Sequence, residues 1–201
     1  ANFLEIDIGS AGTAMGGAYV SVANDVSSAF WNPAGLAYVL NRQTIFMYQP
    51  WIEELGINSV YAGVAIHNKD FGTLAFSMNY LGYENEPVTT VEKPEGTGEF
   101  YSANEFAAGI SYGKRLVDWF AFGATAKYIS SNIWHSSAQA IATDFGVLVT
   151  TNFFSPTGNR SQGMKIGMCI SNYGTRLRYD GLDLLVPLDI DEEIEGNNDN
   201  I

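Results

Sequence analysis

The chain has 201 residues, 46% hydrophobic, 13% aromatic and only 16% charged, with a formal net charge of −12. That length holds one large or two small domains, and a typical soluble domain would carry about 25% charged residues. The 10 Lys and Arg residues are scattered, Cys169 is the lone cysteine, and no run reaches a transmembrane helix's ~18 apolar residues, so nucleic-acid binding, disulfide scaffolds, cysteine-zinc sites and helical membrane proteins are excluded.

The nearest approach to a helical span, "LVDWFAFGATA", is interrupted by Asp118. The chain opens at Ala1 without a charged-then-apolar leader, as a mature exported protein or a trimmed one would.

Residues 1–40 are rich in Gly, Ala and Ser, with apolar spacing that is neither helix nor strand. "GSAGTAMGG" lacks the flanking strand, the helix and the acidic partner of a dinucleotide loop, so Gly9, Gly12, Gly16 and Gly17 are read as close-packing positions. In "AFWNPAGLA" the pair Asn32-Pro33 predicts the cap and first position of a short helix. Asp25 is expected to cap or to form a salt bridge, and Phe30, Trp31 and Leu36 to pack, buried, against a wall lined by the glycines of the later strands.

From Asn41 to about Tyr173 the pattern has period two, and about seven strands are expected. They lie in "RQTIFMYQPW", "INSVYAGVAIH", "FGTLAFSMNYL", "EFAAGISYG", "WFAFGATAKYIS", "ATDFGVLVT" and "MKIGMCIS". One face is apolar (Leu74, Phe76, Met78, Tyr80), while the other is small or polar (Thr73, Ala75, Ser77, Asn79). Glycine recurs on that second face at 63, 109, 113, 123, 146 and 167, where a water-facing sheet would show Lys, Glu and Thr.

Aromatics bracket the strands, with Phe120 and Tyr128 on one side and Tyr80, Tyr112, Phe106 and Trp134 as further girdle residues. Eight residues span ~27 Å, or ~20 Å of height at a ~40° tilt, comparable to the ~25 Å apolar band of an outer-membrane barrel. A soluble sandwich with an aromatic core shares the same alternation.

"HNKD" (His67 to Asp70) and "RLVD" (Arg115 to Asp118) read as tight turns, and the link from Gly82 to Asn104, with Pro87 and Pro94, reads as a long loop. Short turns at one end and longer loops at the other fit a membrane meander, although "NFFSPTGNRSQ" (Asn152 to Gln162) is long on the short-turn side. Seven strands are an odd number, so the closing strands are expected beyond Ile201 or from elsewhere.

Neither His67 nor His135 has a patterned Cys, His or carboxylate neighbour, and Ser136 and Ser137 lack a nucleophile elbow. No enzyme activity and no cofactor are expected. Lys127 and Asp144 fall on the small face of adjacent strands, as a lumenal salt bridge or as part of a polar solute path. The acidic run from Asp189 to Asp199 lacks EF-hand spacing; it reads as a solvated, extracellular loop, with Asp189, Asp191 and Glu193 as a weak calcium candidate.

The ordered set Phe3-Leu4, Gly9, Ala14-Met15-Gly16-Gly17-Ala18-Tyr19-Val20, Ala23, Asp25 and Asn32-Pro33-Ala34-Gly35-Leu36 resembles the N-terminus of the PorV/PorQ family of outer-membrane proteins. "ISNYGTRLRYDG" (Ile170 to Gly181) is similar to a later segment of that family. The resemblance implies an all-β, antiparallel transmembrane barrel of the fatty-acid-transporter type, of about 14 strands, with about seven present here. It further implies a hatch at 1–40 inside the barrel, marked by Gly16, Gly17, Asp25, Trp31, Asn32, Pro33 and Gly35. Residues 41–173 would form barrel wall, and residues 174–201 the acidic loop.

By the same resemblance the protein sits in the bacterial outer membrane and serves type IX secretion, binding the translocon or secreted cargo. Its expected partners are outer-membrane lipid and other secretion-system proteins or cargo. A channel carrying a hydrophobic small molecule in the lumen, and a soluble β-sandwich module, remain as alternatives. An apolar pocket near the hatch would favour the channel, and extraction without detergent would favour the sandwich.

Overall fold

The computed structural model describes residues 1–181, Leu184, and the backbone of Pro187–Asp189 and Asn198–Asn200. The first 40 residues fold as four short helical pieces, none longer than 6 residues. Two are α-helical, α1 (Ser10–Ala14) and α2 (Ser28–Trp31). The other two, Asn2–Glu5 and Pro33–Tyr38, are tighter 3₁₀ turns. Five Gly and eight Ala among these residues leave too little apolar surface for a core of their own, so the segment must pack on something else.

It packs on a sheet. The strands β1 (Gln43–Ile52), β2 (Ile57–Asn68) and β3 (Gly72–Gly82) run as an antiparallel meander. The long link after β3 carries a small hairpin of β4 (Glu86–Pro87) and β5 (Phe100–Tyr101). The meander resumes with β6 (Ala103–Val117), β7 (Phe120–Ile133), β8 (Ser136–Thr150) and β9 (Lys165–Gly174). These seven long strands lie where the alternation predicts them. At 14 or 15 residues, β6, β7 and β8 exceed the ~9–11 residues a tilted strand needs to cross a bilayer.

Among the described residues the sheet is open: β1 pairs only with β2, and β9 only with β8. A short β10 (Tyr179–Gly181) also pairs with β8, beyond the point where β9 leaves it. One more pair, β11 (Pro187–Asp189) with β12 (Asn198–Asn200), stands apart. The stretch expected as loop from Gly174 onward therefore contains strand. Thr175 makes the transition, accepting the Ile141 amide through its hydroxyl while its own amide donates to the Ile141 carbonyl.

Two turn assignments change. The turn expected at Arg115–Asp118 lies at Asp118–Trp119, because a bulge between Arg115 and Val117 lets β6 continue. The short-turn and long-loop ends are also mixed. His135 sits in a tight Trp134–His135 turn at the end that carries the long link, with Trp134 at φ 50. The opposite end carries the 151–164 loop.

The two faces of the sheet differ in kind. Thr73, Ala75, Ser77, Asn79 and Leu81 are all below 10% exposed, whereas Leu74 and Phe76, between them, are 47% and 49% exposed. The same inversion continues through Ile110, Ile141, Phe145, Met168 and Ile170, all exposed, beside buried Ser111, Ala142 and Asp144. Small and polar side chains are buried while large apolar ones are bare, the reverse of a soluble sheet. No second sheet covers the apolar face among the described residues, since the other sheets are pairs of two and three residues.

Residues 1–40 cover the small face and supply the bulk that it lacks. Phe3 and Leu4 pack with Ile57, Leu81 and Ile129; Val26, Leu36 and Val39 pack with Ala65 and Ala75. Trp31 and Ile8 pack with Tyr61. Burying a Leu or Phe side chain contributes ~1.5–3 kcal/mol, so these anchors hold the segment against the sheet.

Candidate functional site

The seat of the N-terminal segment is a row of three glycines. Gly113, Gly123 and Gly146 face one another directly across β6, β7 and β8. A Cβ on Gly113 would stand 2.6 Å from the Pro33 carbonyl oxygen; one on Gly123 would collide with the Pro33 backbone, and one on Gly146 with Asn32 Oδ1. Only glycine lets backbone approach backbone this closely, which explains the small residues on that face.

Asn32 locks the contact from the other side. Its Oδ1 accepts the Ala34 amide at 3.0 Å, capping the Pro33–Tyr38 turn with Pro33 at the first position. Its Nδ2 donates to the Val20 carbonyl at 2.9 Å and to the Val147 carbonyl of β8 at 3.1 Å. The cap forms as the sequence predicts, but on a 3₁₀ turn. One fully buried side chain thus ties the turn, an earlier part of the segment and the sheet together.

The other motif residues serve the same seat. Gly16 and Gly17 take φ +62 and +78 in the turn after α1, a backbone that other residues rarely adopt. Among the described residues Asp25 has no ion-pair partner; its Oδ1 accepts from the amide and hydroxyl of Ser27 at 2.8 and 2.5 Å, fixing the entry to α2. Gly35 admits the Ala23 carbonyl and the Ser28 side chain. Trp31 is buried: its Nε1 donates to the Ile8 carbonyl at 3.2 Å, and its ring meets Tyr19 and Phe30 edge-on. Trp31 lies against Gly12 of the segment itself, whereas Leu36 lies over Gly113 of the wall. Burial first, and the Asp25 carboxylate second, push the Tyr19 hydroxyl above its usual range.

Lys127 and Asp144 form the ion pair that their strand positions suggest, at 2.7 Å, with Asp144 wholly buried. The structure adds a third member. The register of β9 slips between Thr143 and Phe145 of its partner, and Asn172 takes φ 58 there. Asp144 accepts the Asn172 amide at 2.7 Å, and Lys127 donates to Asn172 Oδ1 at 2.9 Å. The buried pair is therefore committed to holding a β-bulge. Asn before Tyr-Gly carries the local signal for a left-handed residue, but the alternation around it gives no hint of the two distant charges.

A small cavity remains between segment and sheet, lined by Leu4, Phe30, Tyr61, Ser77, Asn79 and Lys127. Ala29, Ala107, Ala108 and Gly109 complete its lining, which is mostly apolar with a few polar groups, the composition of a small-molecule pocket. His67 bonds Thr73 at 2.9 Å near the β2–β3 turn, and His135 stacks on Trp134 at the other end of the sheet. Ser136 is buried and Ser137 exposed. No three His, Cys, Asp or Glu side chains cluster as metal ligands among the described residues. Of the calcium candidates, Asp191 and Glu193 lie outside the described residues, and Asp189 is described only as backbone.

On the exposed face, Tyr48, Tyr80 and Phe106 fall in one cross-strand row through Val60. Phe71, Tyr112 and Phe122 cluster toward the opposite end, with ring centroids 5.0 and 6.1 Å apart. On β7 the two levels are eight residues apart, from Phe122 to the Phe106 partner Ser130. That is ~27 Å along the strand and ~20 Å of height, the scale of an aromatic-bounded membrane band.

A family model described as "Type IX secretion system protein PorV" matches residues 1–189. No curated protein and no solved structure matches the chain.

Proposed function

The chain belongs to the PorV family of type IX secretion system proteins, which sit in the outer membrane, and from that membership we propose that it is a non-enzymatic secretion adapter. In this reading the exposed apolar face lies in lipid. Residues 1–40 act as a hatch within the barrel, and protein partners, either the translocon or secreted cargo, read the loops and rims.

The observation that carries the reading is the glycine row under Asn32-Pro33. The interior is filled by the chain's own backbone at van der Waals distance, which supports a rigid scaffold over a solute channel. No side-chain constellation there is arranged for bond making, and the buried charges hold a bulge. Co-purification from native outer membranes, after mild detergent extraction, tests the proposal. Recovery with other type IX components or cargo is expected, and recovery alone under conditions that preserve known membrane complexes would refute the adapter role.

A further inference from the structure

Charge is divided between the two ends of the sheet. Arg42, Lys69, Lys114, Arg115, Arg160 and Lys165 all lie at or beside the end formed by the β2–β3, β6–β7 and β8–β9 connections. Among residues 41–181, only Asp70 and Asp118 bring negative charge there, whereas the opposite end holds Glu53, Glu54, Glu84, Glu86 and further acids.

At the basic end one cleft gathers Tyr38, Arg115, Asp118, Thr150, Arg160 and Lys165 in its lining. Among the described residues none of its three cations has a carboxylate within salt-bridge distance, the one ion pair being Lys127 with Asp144. The Tyr38 hydroxyl, on the last residue of the Pro33–Tyr38 turn, is buried with no hydrogen-bond partner. A buried donor left unmade costs ~1–3 kcal/mol unless something completes it. Three cations against Asp118 leave two net positive charges in the cleft that Tyr38 helps to line, the complement of a phosphate dianion.

We propose that this cleft is an anion-binding site for a phosphate group, gripped by Arg115, Arg160 and Lys165 and hydrogen-bonded by the Tyr38 hydroxyl. Arginine gives bidentate contacts to phosphate oxygens, and Lys165 adds a point charge. The site goes beyond the adapter reading and does not depend on it. A free phosphate and a lipid headgroup share this chemistry.

The test is calorimetric titration of the detergent-solubilised protein with inorganic phosphate and with pyrophosphate. Saturable binding is expected, weakened at least ~10-fold by Arg115→Gln or Arg160→Gln and less by Tyr38→Phe. Lys69→Gln, at the same end but outside the cleft, is expected to bind as the parent does. Retained heat-modifiable mobility on gels shows that each variant is folded. Native mass spectrometry with phosphatidylglycerol in place of phosphatidylcholine separates the sources: lipid displaced by pyrophosphate identifies a headgroup, and its absence with pyrophosphate bound identifies a free anion. No saturable binding at millimolar pyrophosphate, unchanged binding in the Arg115→Gln/Arg160→Gln double variant, or an equal loss in Lys69→Gln would overturn the assignment.

Discussion

One sheet carries two faces that obey opposite rules. On the face covered by residues 1–40, Gly, Ala, Ser and Thr recur among a few larger anchors such as Ile57, Tyr61 and Leu81, and the tolerance at Gly123 or Gly146 is less than one methyl group. On the other, Phe76, Ile110, Phe145 and Met168 stand exposed and unpacked. The first face is specified by shape, and the second only by hydrophobicity. Substitutions should therefore separate the two by kind as well as by size.

The largest expected effect is at the buried charge. Asp144→Ala strands Lys127 and frees Asn172 from its bulge, and should cost about 3–5 kcal/mol in urea unfolding from lipid vesicles. A loss under ~1 kcal/mol would mean that the bulge holds itself. Ile110→Arg, on the apolar face, is expected to cost about 2–4 kcal/mol in lipid if the site lies near the midplane. The same substitution in a water-facing strand would be nearly neutral, so the two environments are told apart directly.

Gly123→Ala comes next, at about 1–3 kcal/mol, because its methyl must displace the Pro33 backbone. Protease resistance of residues 1–40 should fall with it, and unaltered resistance would sever the link between the glycine row and the segment. Smallest of all is Ile110→Val, expected below ~1 kcal/mol since lipid conforms to either shape. A penalty as large as that of Gly123→Ala would show that the apolar face is packed against protein.

How much of this was legible in the sequence follows from the same division. Period-two alternation locates all seven long strands, since a repeated local pattern needs no knowledge of partners. The six recurring glycines point to a face that something fills, and Asn32-Pro33 announces its cap. The bulge at Asn172, the extension of β6 past Arg115 and the return of the chain at β10 were not legible. Two depend on residues far along the chain, Asn172 on Asp144 and Lys127, and Thr175 on Ile141, while the β6 extension depends on a bulge before Val117 pairs with Phe120. The seat of Trp31 was half legible, because its burial follows from composition while its contact with Gly12 needs the fold of α1. The basic cleft stayed hidden because Tyr38, Arg115 and Arg160 come from three separated parts of the chain.

The account rests on one face meeting lipid and the other meeting the N-terminal segment. Spin labels placed singly at Phe76, Ser77, Met78 and Asn79 of β3, in a Cys169→Ser background reconstituted in vesicles, test this most directly. Collision with oxygen and with a water-soluble nickel chelate would be read at each site. The account predicts high oxygen and low nickel accessibility at 76 and 78, and low accessibility to both at 77 and 79. High nickel accessibility at 76 and 78, or oxygen accessibility without alternation along the strand, would contradict it.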